Sequence, residues 1–203
     1  MKKLILSATA ALVVAFAGGA FAADISPAAV KTADNVCSKC HGAGGATTSP
    51  LFPRLAGQQA GYIEQELKLF RERGRGDPHA QAYMWGIAGP MSDQQIKELA
   101  VYFANQPPAP GQAVSDKALA AKGEALFQNG DDSHGIPACA SCHGKMAEGN
   151  DAIPRLAGQS SDYLMGQLEA FRSKLRENDT MDTNAQSLSN DQIKALAAYL
   201  SSL

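Results

Sequence analysis

The sequence predicts an all-α protein of two tandem domains related by internal duplication, and three observations carry that expectation. Pro53-Arg54-Leu55-Ala56-Gly57-Gln58 returns 101 residues later as Pro154-Arg155-Leu156-Ala157-Gly158-Gln159, while the segment from Cys37 to Gly42 returns at an offset of 102 as Cys139 to Gly144. Tyr62 and Phe70-Arg71 recur as Tyr163 and Phe171-Arg172, and Ser92 to Tyr102 recurs as Ser189 to Tyr199 at an offset of 97. Several matches in one order, with small drifts in offset, mark a duplicated unit. The second observation is period: apolar residues recur at helical spacing in both copies, and the third is that no run of alternating β-branched residues occurs.

The elements follow in chain order. Lys2 and Lys3, the apolar run Leu4 to Ala17, and the small-x-small site Ala20-Phe21-Ala22 form an export signal over residues 1–22, expected to be cleaved near Ala22. The run is short for a membrane span, so an uncleaved anchor is the lesser reading. The first domain is assigned to 23–106. Ile63, Leu67 and Phe70 form one helical stripe, and Ile96, Leu99, Ala100 and Phe103 another, opened by the capping box Ser92-x-x-Gln95. Pro107, Pro108 and Pro110 end this helix and stiffen a linker over 107–114. The second domain, 115–203, begins with a helix from about Asp116 to Phe127. It repeats the stripes as Leu164, Leu168, Phe171 and as Ile193, Leu196, Ala197, Leu200, behind Ser189-x-x-Gln192.

Composition narrows the function. Residues 23–110 carry eight basic and eight acidic side chains, and 111–203 carry eight and 12. No basic stripe is present, which argues against nucleic acid as a partner. The acidic excess of the second half would orient the molecule towards a charged partner, or is plain surface solvation. Domains of this size bury little apolar area and need an added core. The Lys-Lys-initiated signal points to a bacterial periplasm, where four cysteines would ordinarily read as two disulfides.

The cysteine spacing argues otherwise. In Cys37-x-x-Cys40-His41 and Cys139-x-x-Cys142-His143, two thiols on one turn reach the two vinyl carbons of a single porphyrin, and the next residue presents imidazole to the iron. Two covalently bound haem c groups are therefore expected, one per domain, each filling the missing core. A zinc site would need a second ligand pair in each half, and a redox dithiol expects a βαβ context; neither is present. The other axial position calls for a soft ligand ahead of the last helix. Met84 and Met181 each lie eight residues before the capping serine, Ser92 and Ser189, so the repeat selects them. Met91 and His79, or Asn184 and Asp182, are the fallbacks, and a core-filling role for the methionines is the plain alternative. Met146 is too near His143, and Met165 aligns with Glu64. A loop carbonyl at Pro53 or Pro154 is placed to hold the histidine Nδ1. Arg54 and Arg155 are candidates for the haem propionates, Arg71, Arg73 and Arg75 read as a helix end with its loop, and His134 as a surface residue.

Taken jointly, the two Cys-x-x-Cys-His sites, Phe52 to Gln58 with its second copy, and Leu188-Ser189 with Asp191, Ile193 and Tyr199 resemble the dihaem cytochrome c4 family. The resemblance implies two cytochrome c-like domains facing each other across a pseudo-twofold axis, with a His–Met iron in each. It further implies a non-enzymatic periplasmic carrier that delivers electrons between redox proteins. Its donor would be a quinol-oxidising complex and its acceptor a haem–copper oxidase, with at most peripheral membrane association. An electron-accepting subunit of a dehydrogenase complex is the second reading, and a dihaem peroxidase, which needs an open iron position, the third. The chain departs from the family at Met181 to Ser189, which is polar where an aliphatic shelter is usual, so the second methionine bond is expected to be the more exposed.

Overall fold

The computed structural model describes residues 25–203, so the export signal and its cleavage point lie outside the described residues. Helix α1 (Pro27–Thr32) opens on Ser26, whose hydroxyl accepts the Ala29 amide, and has Pro27 where no amide partner is required. It passes through a π-helical turn, Ala33–Cys37, into α2 (Ser38–His41), which stops at Gly42. Helix α3 (Ala60–Arg71) follows. A second π-helical turn, Ala80–Met84, leads into α4 (Trp85–Ala88), and α5 (Asp93–Ala104) ends the first domain. The second domain holds α6 (Lys117–Asn129), α7 (Ala140–His143), α8 (Ser161–Arg172), α9 (Asp179–Ala185) and α10 (Asn190–Ser202). Among the described residues there are isolated bridges, Asp131 with Ile136 and Asn150 with Ile153, but no strand. No helix among them is long and apolar enough to cross a membrane.

Local sequence explains the helix ends. Ser92 and Ser189 both form complete capping boxes with Gln95 and Gln192, and Asp116 caps α6 by accepting the Leu119 amide at 2.8 Å. The apolar stripes form two separate cores. Ile63, Leu67, Phe70, Ile96, Leu99 and Phe103 lie in the first, and Phe127, Leu164, Phe171, Ile193, Leu196 and Leu200 in the second. In the second domain α6 crosses α10 so closely that a Cβ on Gly123 would sit 1.9 Å from the Ala195 carbonyl oxygen. Only glycine permits that approach.

The two copies of Pro-Arg-Leu-Ala-Gly-Gln meet each other. The Gln159 side chain accepts the Arg54 amide at 2.8 Å and donates to the Arg54 carbonyl at 3.0 Å. Gln58 does the same to Arg155, at 2.7 and 2.9 Å. This reciprocal exchange has the form of a two-fold relation between domains. The linker lies across it. A Cβ on Gly57, at φ 66°, would fall 2.4 Å from Pro108, and one on Gly158, at φ 72°, would fall 2.8 Å from the Ala109 carbonyl oxygen. Beyond them the Gln112 amide donates to Ser201 at 2.7 Å, tying the linker to the end of α10.

Arg54 and Arg75 make contacts across the two domains and the linker. Arg54 directs its guanidinium to the carbonyls of Thr47, at 3.2 Å, and Pro110, at 2.8 Å, and so fastens the linker. Arg71 ends α3, and Arg73 and Arg75 lie in the loop that follows, as the sequence led one to expect, but Arg75 is buried there. It is 5% exposed, within a buried inter-domain cluster. His134 is exposed as expected and pairs with Asp131 at 2.7 Å.

Candidate haem sites

Each site starts from a single turn of helix. Cys37, Cys40 and His41 lie where the first π-helical turn runs into α2, and Cys139, Cys142 and His143 lie at α7. A glycine at positive φ, Gly42 at 77° and Gly144 at 81°, then turns the chain away. Replacing Gly42 would drive a Cβ to 2.8 Å from the Thr47 backbone, so the turn is fixed by contact as well as by dihedral. The chain then returns so that a proline carbonyl meets the histidine. His41 Nδ1 donates to Pro53 O at 2.9 Å, and His143 Nδ1 to Pro154 O at 3.0 Å. With Nδ1–H committed, Nε2 keeps its lone pair, which is the tautomer a metal ligand needs. Both imidazoles are 7% exposed. Burial lowers the pKa of both rings below the ordinary histidine value, against a smaller raising effect from the proline carbonyl, so both are neutral at pH 7.

The thiols agree with this arrangement. The four cysteines make no disulfide with one another. Burial pushes the Cys37 and Cys139 thiols up to about 11, so neither is a free thiolate poised for exchange. No group of three or more His, Cys, Asp and Glu side chains converges among the described residues, as a structural zinc site would require. Cys37 and Cys139 instead pack against the edges of the two apolar cores. Paired thiols, a neutral imidazole with Nε2 free and an apolar wall together fit a haem joined through two thioethers.

The structure places the methionines as follows. Met84 ends the second π-helical turn, half-buried against the first core, and Met181 lies in the first turn of α9, half-buried against the second. Met91 is buried in the first core and its carbonyl accepts Arg71 at 3.1 Å. Met146 is 63% exposed. Met165 packs against the second core from α8. Around the first site Phe52 stands edge-on to His41, with ring centroids 6.1 Å apart, and to Tyr83, 5.5 Å apart, next to Met84. The equivalent position in the second domain is Ile153, and Met181 is followed by Asp182, whose Oδ1 is buried without a hydrogen-bond partner.

Between the sites lies a cluster that sequence reasoning missed. Glu66 on α3 accepts from Arg75 at 2.6 Å and from Arg176 at 2.7 Å. Gln167 on α8 accepts from the same two arginines, both at 2.7 Å. Arg75 also pairs with Asp77 at 2.6 Å and lies 4.8 Å over the Phe70 ring, and Arg176 lies 4.5 Å over the Phe171 ring. Tyr62 Oη accepts Arg176 at 2.9 Å, and Tyr163 Oη accepts Arg75 at 3.4 Å. Burial would raise the Glu66 carboxyl, but the two guanidiniums outweigh it and hold it below the ordinary range. A signal was available: Tyr62, Glu66, Phe70, Arg75 and Asp77 stand opposite Tyr163, Gln167, Phe171, Arg176 and Asn178 at a constant offset of 101.

Comparison with known proteins agrees with this geometry. The family Cytochrome c matches residues 28–107 and again 120–203. Cytochrome c4 of Thiocapsa roseopersicina is 40% identical over 177 residues, covering 84% of this chain and 88% of the relative. The thiosulfate dehydrogenase electron acceptor of Thiomonas intermedia (strain K12) is 37% identical over 196 residues, 93% of this chain and 88% of the relative. Among solved structures, Acidithiobacillus ferrooxidans cytochrome c4 superposes with a TM-score of 0.79 at 40% identity, covering 82% of this chain and 98% of its own. With two Cys-x-x-Cys-His turns, two proline-held imidazoles and a family match in each half, this chain belongs to the cytochrome c family, as a dihaem electron carrier of the cytochrome c4 group with two covalently bound haem c groups.

Proposed function

We propose that the chain is a periplasmic electron shuttle in which Cys37 with Cys40, and Cys139 with Cys142, carry the two haems. His41 and Met84 would hold the first iron, and His143 and Met181 the second. Residues 1–22 would act as the export signal. The first domain would span 23–106, the linker 107–114 and the second domain 115–203. The observation that carries the reading is the repeated hydrogen bond from histidine Nδ1 to a proline carbonyl, at 2.9 and 3.0 Å. It leaves one coordinating nitrogen per domain in a fixed orientation.

A haem iron bound by imidazole and thioether exchanges one electron with little rearrangement at a raised potential. The protein's part is to hold that site still and dry. Pro53 and Pro154 orient the imidazoles and raise their basicity. Cys37 with Cys40, and Cys139 with Cys142, would fix each haem to its helix turn, and Met84 and Met181 would keep substrate from the irons, in keeping with a carrier and not a peroxidase. The two domains, joined by reciprocal hydrogen bonds and a buried ionic cluster, move as one carrier between a quinol-oxidising donor and a haem–copper oxidase. A second reading, reception of electrons from a periplasmic dehydrogenase, draws on the similarity to the thiosulfate dehydrogenase electron acceptor.

The test is the intact mass of the exported protein with its reduced and oxidised visible spectra. Two added haem masses and two methionine–iron bands are expected, and a mass equal to the polypeptide alone would end the proposal. Met84→Ala and Met181→Ala should each keep both haems but lower one midpoint potential, because the soft ligand is lost. An unchanged potential removes that methionine from the assignment. Turnover of a purified dehydrogenase or oxidase with this protein as sole electron carrier separates the two partner readings.

A further inference from the structure

The segment that carries Met84 has little of its own to hold it. The π-helical turn Ala80–Met84 and the four-residue α4 have no side-chain hydrogen bond at their N-cap residues, His79 and Met84. The start of the turn rests on one long bond, from the Ala80 amide to Asp77 Oδ1 at 3.3 Å. Gly86 and Gly89 add backbone freedom, and helical pieces this short are unstable alone. From Gln81 to Ile87 only Met84 and Trp85 turn inward, both against the first core, and the other residues are exposed. Trp85 also reaches out of its own segment. Its indole Nε1–H donates to the Arg75 carbonyl at 2.8 Å, and the Arg73 guanidinium lies 5.6 Å over its ring. Both partners belong to the loop after α3, so one side chain straps the Met84 segment to the frame of its domain. The second domain has no counterpart. Asp182 follows Met181 there, and Met181 is held through its own amide, which donates to Asn178 Oδ1 at 2.9 Å at the start of the regular, seven-residue α9.

We propose that Trp85 is the positioning residue for Met84, and that its bond to the Arg75 carbonyl keeps outside ligands from the first site. This rests on the reading that Met84 holds the first iron. Met84 and Trp85 are adjacent and share one inward face, so withdrawal of the sulfur carries the indole off the Arg75 carbonyl. An outside ligand binds in proportion to the fraction of molecules in which Met84 has left. Whatever Trp85 contributes to the closed arrangement therefore opposes every such ligand equally. The worth of one buried hydrogen bond changes that fraction about tenfold. Removing the indole N–H also leaves the Arg75 carbonyl without this partner, which acts in the same direction.

The experiment is an imidazole titration of the exported full-length dihaem protein in its oxidised state, followed by the visible spectrum. Met84→Ala identifies the binding step that belongs to the first domain. In Trp85→Phe, which keeps a ring and removes the N–H, that step should move to about tenfold lower imidazole, and the step of the second domain should stay. An unmoved first step overturns the proposal. Trp85→Phe is then added to Met84→Ala, where it should have no further effect, because the residue through which it acts is gone. A tenfold shift in that background too would make Trp85 a packing residue and overturn the proposal. If Trp85→Phe lacks native helicity, Arg73→Gly decides. Arg73 is exposed and stands at φ 58°, which glycine adopts freely. Losing its guanidinium from the indole face should move the first step about two- to fivefold in the same direction, and no shift refutes the inference. Both steps unmoved in Met84→Ala would instead remove Met84 from the first iron, and the inference would fall with the reading beneath it.

Discussion

The two domains come from one ancestral unit yet reach the same site by different means. In the second, α6 is 13 residues long and brings the fully buried Phe127 into the core, and the Asp131–Ile136 bridge then spaces the chain out to Cys139. In the first, α1 is six residues long, small Ala29 and Ala33 fill the corresponding stretch, and a π-helical turn delivers Cys37 directly into α2. At the two candidate methionines the contrast repeats, with a π-helical turn ending at Met84 and an ordinary helix holding Met181. Short irregular helix here stands in for longer regular helix there. The second domain is thus better able to stand alone, while the first takes part of its support from its neighbour.

The largest effect should come from the second haem. Replacing Cys139 and Cys142 by alanine removes its covalent hold, and an apolar group that is part of the core goes with it. The mass should fall by one haem and the second domain should lose its cooperative melting. Normal helicity and an unchanged transition would show that the domain's side chains suffice without the porphyrin.

Next in size is the clamp between the domains. Glu66→Gln leaves one buried guanidinium without its partner, a change that costs about 3–5 kcal/mol when a buried pair is broken. Because the Glu66 carboxyl sits below its ordinary value near 4.5, its contribution is complete at pH 7 and above about 4.5. It is lost as pH falls through the lowered native value. Denaturant melts of wild type and variant should differ most at pH 7 and converge in acid. A constant difference from pH 7 to pH 3 would deny the carboxylate this role.

Gly123→Ala addresses the second domain by itself. The added methyl meets the Ala195 carbonyl, and because backbone cannot yield as a side chain does, about 3 kcal/mol is expected, the upper part of the usual overpacking range. The loss should appear in the transition of the second domain and leave that of the first in place. Hydrogen exchange resolved by domain would check it.

How far the sequence led follows from the kind of interaction. Cys-x-x-Cys-His, the capping boxes and the apolar stripes are local or periodic, and each stands in the structure where the spacing puts it. The bonds from His41 to Pro53 and from His143 to Pro154 were legible because the loops that close them are short. The inter-domain cluster was not. Glu66 is a charged residue on the apolar stripe of α3, Arg75 and Arg176 lie in the loops after α3 and α8, and what brings them together is the packing of domains about 100 residues apart in sequence. The carbonyl contacts of Arg54 were hidden for the same reason, since its partners Pro110 and Gly158 come from the linker and the other domain. Constancy of offset among polar residues was the one trace of this surface in the sequence.

The smallest expected effect tests the support that the first domain takes from the second. Helices α3 and α8 are equivalent, but their first turns are satisfied differently. On α8 the Ser160 hydroxyl accepts the Tyr163 amide in the usual N-cap manner. On α3 the equivalent residue is Gln59, which makes no such bond. Instead the Tyr62 amide donates to the Asp151 carbonyl at 3.0 Å, and Gln59 Nε2 donates to the Glu148 carbonyl at 2.8 Å, both from the second domain. Orphan amides at a helix start must find an acceptor, and here a neighbouring loop provides it. Ser160→Ala should therefore cost about 1 kcal/mol, the ordinary value of a lost cap, whereas Gln59→Ala should cost well under that because the Asp151 carbonyl remains. Gln59→Ser, which restores a local cap, should make α3 less dependent on the 148–151 loop. Amide exchange at Tyr62 would then slow in the variant. If Gln59→Ala instead costs as much as Ser160→Ala, the first helix turn of α3 depends on its own residue after all, and the contrast between the domains at this point is lost.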